Sequence, residues 1–226
     1  MRSMRFVLCS IGLLMTPTVA AAGAPDALIR WDAQGSFGLV LPGTSPPLSG
    51  LSFGDTVSVS MTFDPFAFAG TPIPLPTGQG AEYHINPALF SIDFPGLGLS
   101  LSAEELVGGT PEFIVSIADN TDAIHGIVED IITVNVYRAD GAANGTEGVQ
   151  FTWAGFAPPS FFNGTEIPIQ FGWNNFSGSQ IVLSNASNNS FQGGGTLSSF
   201  TSTIVPAPAS AAVLAMGLAV RRRRSN

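Results

Sequence analysis

Asp55-Thr56-Val57-Ser58-Val59-Ser60-Met61-Thr62-Phe63 alternates apolar and polar side chains without a break. Val57, Val59, Met61 and Phe63 fall on one side; Thr56, Ser58, Ser60 and Thr62 fall on the other. A period of two belongs to a strand with one face in a core and the other in water. The same alternation returns at 131–137, with Ile132, Val134 and Val136 predicted inward and Thr133, Asn135 and Tyr137 outward. It returns again at 112–117, where Phe113, Val115 and Ile117 align. Less regular segments at 35–41, 81–85, 89–94, 97–101, 149–153, 166–171, 180–184 and 196–204 read as further strands. Turn-forming pairs such as Pro42-Gly43, Pro95-Gly96, Gly108-Gly109, Asn144-Gly145 and Pro158-Pro159 separate them. About eleven strands at this spacing predict an all-β fold, an antiparallel β-sandwich of jelly-roll type. No amphipathic helix is expected between 24 and 204, and 71–80, with Pro72, Pro74 and Pro76, is expected to be a long loop.

Charge narrows the partners. The 226 residues carry 16 carboxylates, all between Asp26 and Glu166, against eight arginines and no lysine. Six arginines sit at the two ends, so the body keeps only Arg30 and Arg138 against 16 carboxylates, a net −14. Phosphate binding depends on Lys and Arg, so nucleic acid is excluded as a partner of the body, and an anionic lipid surface is disfavoured. The single cysteine, Cys9, precedes the body, which therefore has no disulfide, thiolate ligand or thiol nucleophile.

The two ends read as addresses. Residues 1–22 have the form of a secretory signal peptide. Arg2 and Arg5 precede the apolar run 6–15, and Ala20 and Ala22 supply small residues at the −3 and −1 positions of a cleavage site after Ala22. At the other end, Val205-Pro206-Ala207-Pro208 leads into 209–220 without a charge, then Arg221-Arg222-Arg223-Arg224. Twelve helical residues span ~18 Å against a hydrocarbon core of ~30 Å. The arginines stay on the cytoplasmic side, so the tail is expected to stop in a membrane and then be cut near 206–208. The expected organisation is a signal peptide at 1–22, a β-sandwich domain at 23–204 and a C-terminal sorting segment at 205–226.

This order of a proline pair, a short apolar helix and a terminal arginine cluster resembles the PEP-CTERM sorting signal of exported bacterial proteins. Here Ala207 stands where that family usually has Glu. The start of the body is similar to cargo of the same family: Gly54-Asp55-Thr56-Val57 leads a strand to Phe63-Asp64, and a polar, proline-bearing loop leads on to Tyr83. The resemblance implies export by the secretion machinery, recognition by a membrane-embedded exosortase as sorting peptidase, and a place at the cell envelope or outside it. It implies no activity.

Chemistry in the body is sparse. Gly50-Leu51-Ser52-Phe53-Gly54 matches a nucleophile-elbow string, but a Pro-rich loop precedes it and an alternating strand follows, where that elbow needs a strand and then a helix. His84 and His125 are the only histidines, too few for a typical zinc set or an evident triad. Asp119, Asp122, Glu129 and Asp130 are oxygen ligands within twelve positions that a hairpin could gather around calcium. The segment 140–147 begins like an EF-hand loop, but Ala142 and Phe151 break the pattern. Among Trp31, Trp153 and Trp173, Trp153 alternates with Phe151 and reads as core, whereas Trp173, beside Asn174 and Asn175, is the candidate for stacking on a sugar. Several Asn-x-Ser/Thr strings, at Asn144, Asn163, Asn175, Asn185 and Asn188, read as turns. The expectation is a non-enzymatic exported protein of structural or adhesive type, without a cofactor unless calcium binds. A carbohydrate- or calcium-binding module in contact with extracellular polysaccharide is the alternative.

Overall fold

The computed structural model describes residues 27–75, 80–124, 127–139, 148–159, 161–162 and 164–206; of residues 27, 120–124 and 127–128 it describes the backbone. Eleven strands are present among them: β1 (Ala27–Val40), β2 (Thr56–Phe63), β3 (Ile73–Pro74), β4 (Gly80–Ile85), β5 (Leu89–Phe94), β6 (Leu99–Leu101), β7 (Pro111–Ile124), β8 (Ile127–Arg138), β9 (Val149–Ala157), β10 (Gly178–Asn185) and β11 (Phe191–Pro206). They form one antiparallel sheet in the order β3-β4-β7-β8-β9-β10-β11-β1-β2-β5-β6. The sheet curls until its halves face each other. Phe90 on β5 meets Phe113 on β7 edge-on, with centroids 5.2 Å apart, although many strands separate them along the sheet. A five-residue helix, α1 (Ala103–Val107), packs against β5 and β6 from one half and β7, β8 and β9 from the other. The antiparallel β-sandwich read from the alternation is the fold, and its two layers belong to a single sheet. As in a jelly roll, the first and last strands are neighbours. The expected helices of the two termini lie outside the described residues.

Alternation determines the core. Val57, Val59, Met61 and Phe63 of β2, Phe113, Val115 and Ile117 of β7, and Ile132, Val134 and Val136 of β8 are all buried in one cluster, as expected. Trp31 lies within it, its ring edge-on to Phe63 and Phe200 at 5.1 and 5.6 Å. The indole N–H groups of Trp31 and Trp153 are buried without a hydrogen-bond partner. An unmade hydrogen bond costs about 1–3 kcal/mol, whereas truncating a core Trp or Phe to Ala costs about 3–5. Packing therefore outweighs the orphaned donors.

Four readings differ from the structure. The long loop expected at 71–80 holds β3, which pairs with Ala81 and Glu82 of β4. The strand expected at 166–171 is a loop that touches the sheet through one bridge, Phe171 to Ser202. That loop covers a split in the sheet: β10 pairs with β11 only from Ile181 to Ser184, and below this the Ser179 hydroxyl bonds both the N–H and the C=O of Leu197. Asp130, fully buried on β8, fixes the same connection by accepting the N–H of Phe162 at 2.7 Å. The helix α1 was not anticipated. It starts with a capping box in which Ser102 and Glu105 satisfy each other's backbone N–H groups. Finally, β1 begins well before 35, and β11 runs on through Val205 and Pro206, paired with Leu28 and Ala27.

The β1–β11 seam is tight where its register shifts, between Gln34 and Gly35 and between Phe37 and Leu39. A Cβ on Gly195 would lie 2.0 Å from the Ser36 carbonyl oxygen, a backbone atom that cannot swing aside. Gly195→Ala should therefore lower stability by about 1–3 kcal/mol or more. Urea unfolding should show a lower midpoint with an unchanged slope. An unchanged midpoint would mean that the seam tolerates the extra carbon.

Candidate functional site

Antiparallel pairing of β4 with β7 and of β7 with β8 sets His84, Glu112 and Tyr137 side by side on the outer face of one layer. The His84 Nδ1 lies 2.6 Å from Glu112 Oε1, both side chains about one-third exposed. The Tyr137 hydroxyl donates to the same carboxylate, and the Glu82 charge is nearby. Further along the face, the Thr152 hydroxyl donates to Asn135 Oδ1 at 2.7 Å. Burial first, then the hydrogen bond and charge of Glu112, raise the Tyr137 phenol far above its usual range. Among the described residues, no serine or threonine hydroxyl hydrogen-bonds to His84, so this is a His–Glu–Tyr patch without a nucleophile. Ser52 is exposed elsewhere, its hydroxyl turned to the Gly50 carbonyl; the elbow reading has no support in the geometry.

Among the described side chains, Asp119, Glu129 and Asp130 of the expected calcium set do not converge. Glu129 and Asp130 are adjacent on one strand and so project to opposite faces. Glu129 takes the Ser177 hydroxyl at 3.3 Å, while Asp130 is buried against the Phe162 N–H. Asp119 is half-buried on β7, and the backbone of Asp122 pairs with Val128. Among the described residues no three His, Cys, Asp or Glu side chains converge; the side chain of Asp122, His125 and the loop 140–147 lie outside them. Trp31 and Trp153 are core residues, each 1% exposed, and cannot stack on a ligand. Trp173 sits half-buried on the one-turn 3-10 segment Trp173–Asn175, tilted against Phe176 at 6.2 Å. The Asn175 and Asn185 side chains accept local backbone N–H groups, as turn residues do. Arg30 is paired with Asp32 at 2.9 Å and Arg138 is buried, which leaves no basic surface among the described residues. Ala207, Pro208, Arg221 to Arg224, Ala20 and Ala22 also lie outside the described residues.

The less expected features are two apolar ends. At one, Pro65, Phe66, Phe68, Pro72, Tyr83, Ile167 and Ile169 line a cleft of about 290 Å³ with Glu166 at its lip. The Tyr83 hydroxyl donates to the Thr165 carbonyl at 2.6 Å inside it. At the other end, Leu41 and Phe53 border a cleft of about 310 Å³ whose lining also includes Thr44, Ser49 and Ser52 and is more polar than apolar. Phe53 is 78% exposed, with Leu39, Leu41 and Phe191 also exposed nearby. These residues come from loops and strands far apart in sequence. The only local signal for the loop members was large apolar side chains inside Pro/Gly-rich turns, where no strand can bury them.

Among the described residues no helix is long and apolar enough to cross a membrane. Comparison with family models, curated proteins and solved structures gives no match.

The chain has two tyrosines, so tyrosinate absorbance reads Tyr83 and Tyr137 alone. Burial raises the Tyr83 phenol too, with the charge of Glu166 adding to the rise. For a phenol whose folded value is raised, its share of stability is complete below the unfolded value near 10. That share is lost as pH rises through the folded value. Both tyrosines should ionise above pH 10, Tyr137 last, with stability falling over the same range. Glu112→Gln should bring the Tyr137 midpoint down and leave that of Tyr83 in place. Two midpoints near 10 in the folded protein would contradict the geometry of the patch.

Proposed function

We propose that this chain is an exported, non-enzymatic surface or matrix protein of adhesive or structural type, held or processed at the cell envelope and sorted through a PEP-CTERM-like signal at 205–226. One observation supports the reading most: Ala27 pairs with Pro206. The leader and the tail therefore leave the sandwich side by side, and the opposite end points away from any membrane that holds the tail. That far end carries Leu39, Leu41, Phe53 and Phe191 exposed. Neighbouring apolar side chains of this kind on a soluble face mark a contact surface. A second reading, contact with extracellular polysaccharide, is favoured by half-buried Tyr137 in a row of hydrogen-bonding side chains.

Export should remove residues 1–22 and cut the tail near Pro206 to Pro208, leaving a body whose ends mass spectrometry of the cell-surface protein will give directly. Replacing Arg221 to Arg224 by Ser should let the tail slip through and release uncut protein into the medium. Surface protein that still carries Arg224 would replace the sorting reading with a permanent anchor. Changing Leu41, Phe53 and Phe191 together to Ser should reduce retention in the matrix several-fold without altering sorting.

A further inference from the structure

The end of the sandwich from which the tail departs is itself apolar. Ile204 is 54% exposed on β11, three residues before 207. The Ser202 hydroxyl bonds the Ile169 carbonyl at 2.6 Å and Phe171 bridges Ser202, which sets Ile169 beside this terminal stretch of β11. Ile169 and Phe66 line the same cleft. Phe66 lies three residues after Phe63, which is aligned through Ile29 with Ile204. Leu89 pairs with Thr62 at the same end. Phe66, Leu89, Ile169 and Ile204 are between 39% and 70% exposed, an arc of large apolar side chains around the chain exit.

We infer that this arc is a membrane-facing collar that beds into the headgroup–acyl boundary of an uncharged lipid surface when the tail inserts. The inference rests on the tail entering a bilayer, as proposed above, and it answers a shortage of length. The uncharged run 209–220 covers ~18 Å of a ~30 Å hydrocarbon core. A short span is accommodated by thinning the bilayer and drawing flanking groups inward. The run begins three residues after Pro206, a reach of ~10 Å when extended, so insertion necessarily brings this end of the domain to the surface. Apolar side chains placed there can sink about 5 Å or more into the boundary, which extends the apolar column from the tail up to Ile204 and Phe66. Charge selects the lipid. Asp64 and Glu166 lie at this end, and its one cation among the described residues, Arg30, is already tied to Asp32. Zwitterionic headgroups fit, and anionic ones repel.

The test uses the full chain with Cys9→Ser, which removes the only cysteine, and phosphatidylcholine vesicles. An environment-sensitive dye is attached in turn to Phe66→Cys, Ile204→Cys and, at the far end, Phe53→Cys. On vesicle addition the first two dyes should shift to the blue and be quenched by a lipid-borne quencher, while the third stays unchanged. Phe66→Ser with Ile169→Ser and Ile204→Ser should lower vesicle partition about tenfold, and adding phosphatidylglycerol should weaken the dye response. If the chain floats with vesicles but all three dyes stay in water, the collar is refuted and the tail reading stands. If it does not float at all, the tail reading fails and takes the collar with it. A blue shift without vesicles that grows with protein concentration would assign the arc to a second copy of the chain and overturn the proposal.

Discussion

The pairing of β1 with β11 holds the molecule together as one body. It joins Ala27 to Pro206 and continues to Val40 and Gly193, the longest seam in the sheet. Without it the remaining pairings leave a β1-β2-β5-β6 ribbon on one side and a run from β3 to β11 on the other. Each would expose half of the cluster that includes Trp31, Phe63 and Phe200. The seam also has the greatest sequence separation, and such contacts form late because loop closure is unfavourable until they are made. On the exported reading, β1 emerges first and must wait for the last strand before the tail. The domain then completes itself only when the tail is at the membrane, which couples folding to the moment of sorting.

Charge is arranged around that body rather than within a site. The acidic side chains on strands mostly face outward, and the exception, Asp130, is buried where it holds the β9–β10 connection to β8 by the Phe162 N–H. Glu112 gathers two donors, His84 and Tyr137, on the outer face. A carboxylate so occupied has less freedom to act as a general base, and the patch stiffens β4, β7 and β8 across their solvent side. The molecule is thus polar along its faces and apolar at its two ends.

The sequence made the central strands legible because one face of each is dry: β2, β7 and β8 alternate in the period the pleat demands. It was less informative where another constraint produces the same pattern. Ile167, Ile169 and Phe171 alternate like a strand, yet Pro168 and the split between β10 and β11 leave them as a loop. In α1 the Ser102–Glu105 spacing was not read as a cap, and five residues are too few to show a helical period. The calcium set looked plausible as a count of oxygens within twelve positions. Strand geometry separates Glu129 from Asp130, a consequence of the period of two itself. The His84–Glu112 contact spans 28 residues and depends on strand register, which no single segment encodes.

The location of the exposed apolar groups follows from how the sheet ends are protected. An open sheet edge offers unpaired N–H and C=O groups to any other strand. Here one edge is β3, two residues long, finishing on Pro74, which has no N–H to donate. The other edge is β6, three residues long, followed at once by α1, which packs on it. Both edges are thereby poor templates for strand addition, although the chain is rich in β-forming residues and low in charge. Contacts with other bodies are left to the two ends of the sandwich, where loops and strand ends present Phe53 and Phe191 on one side and Phe66, Ile169 and Ile204 on the other. Guarded edges keep neighbouring molecules from fusing into a common sheet, which directs contacts to the exposed apolar groups at the ends of the sandwich.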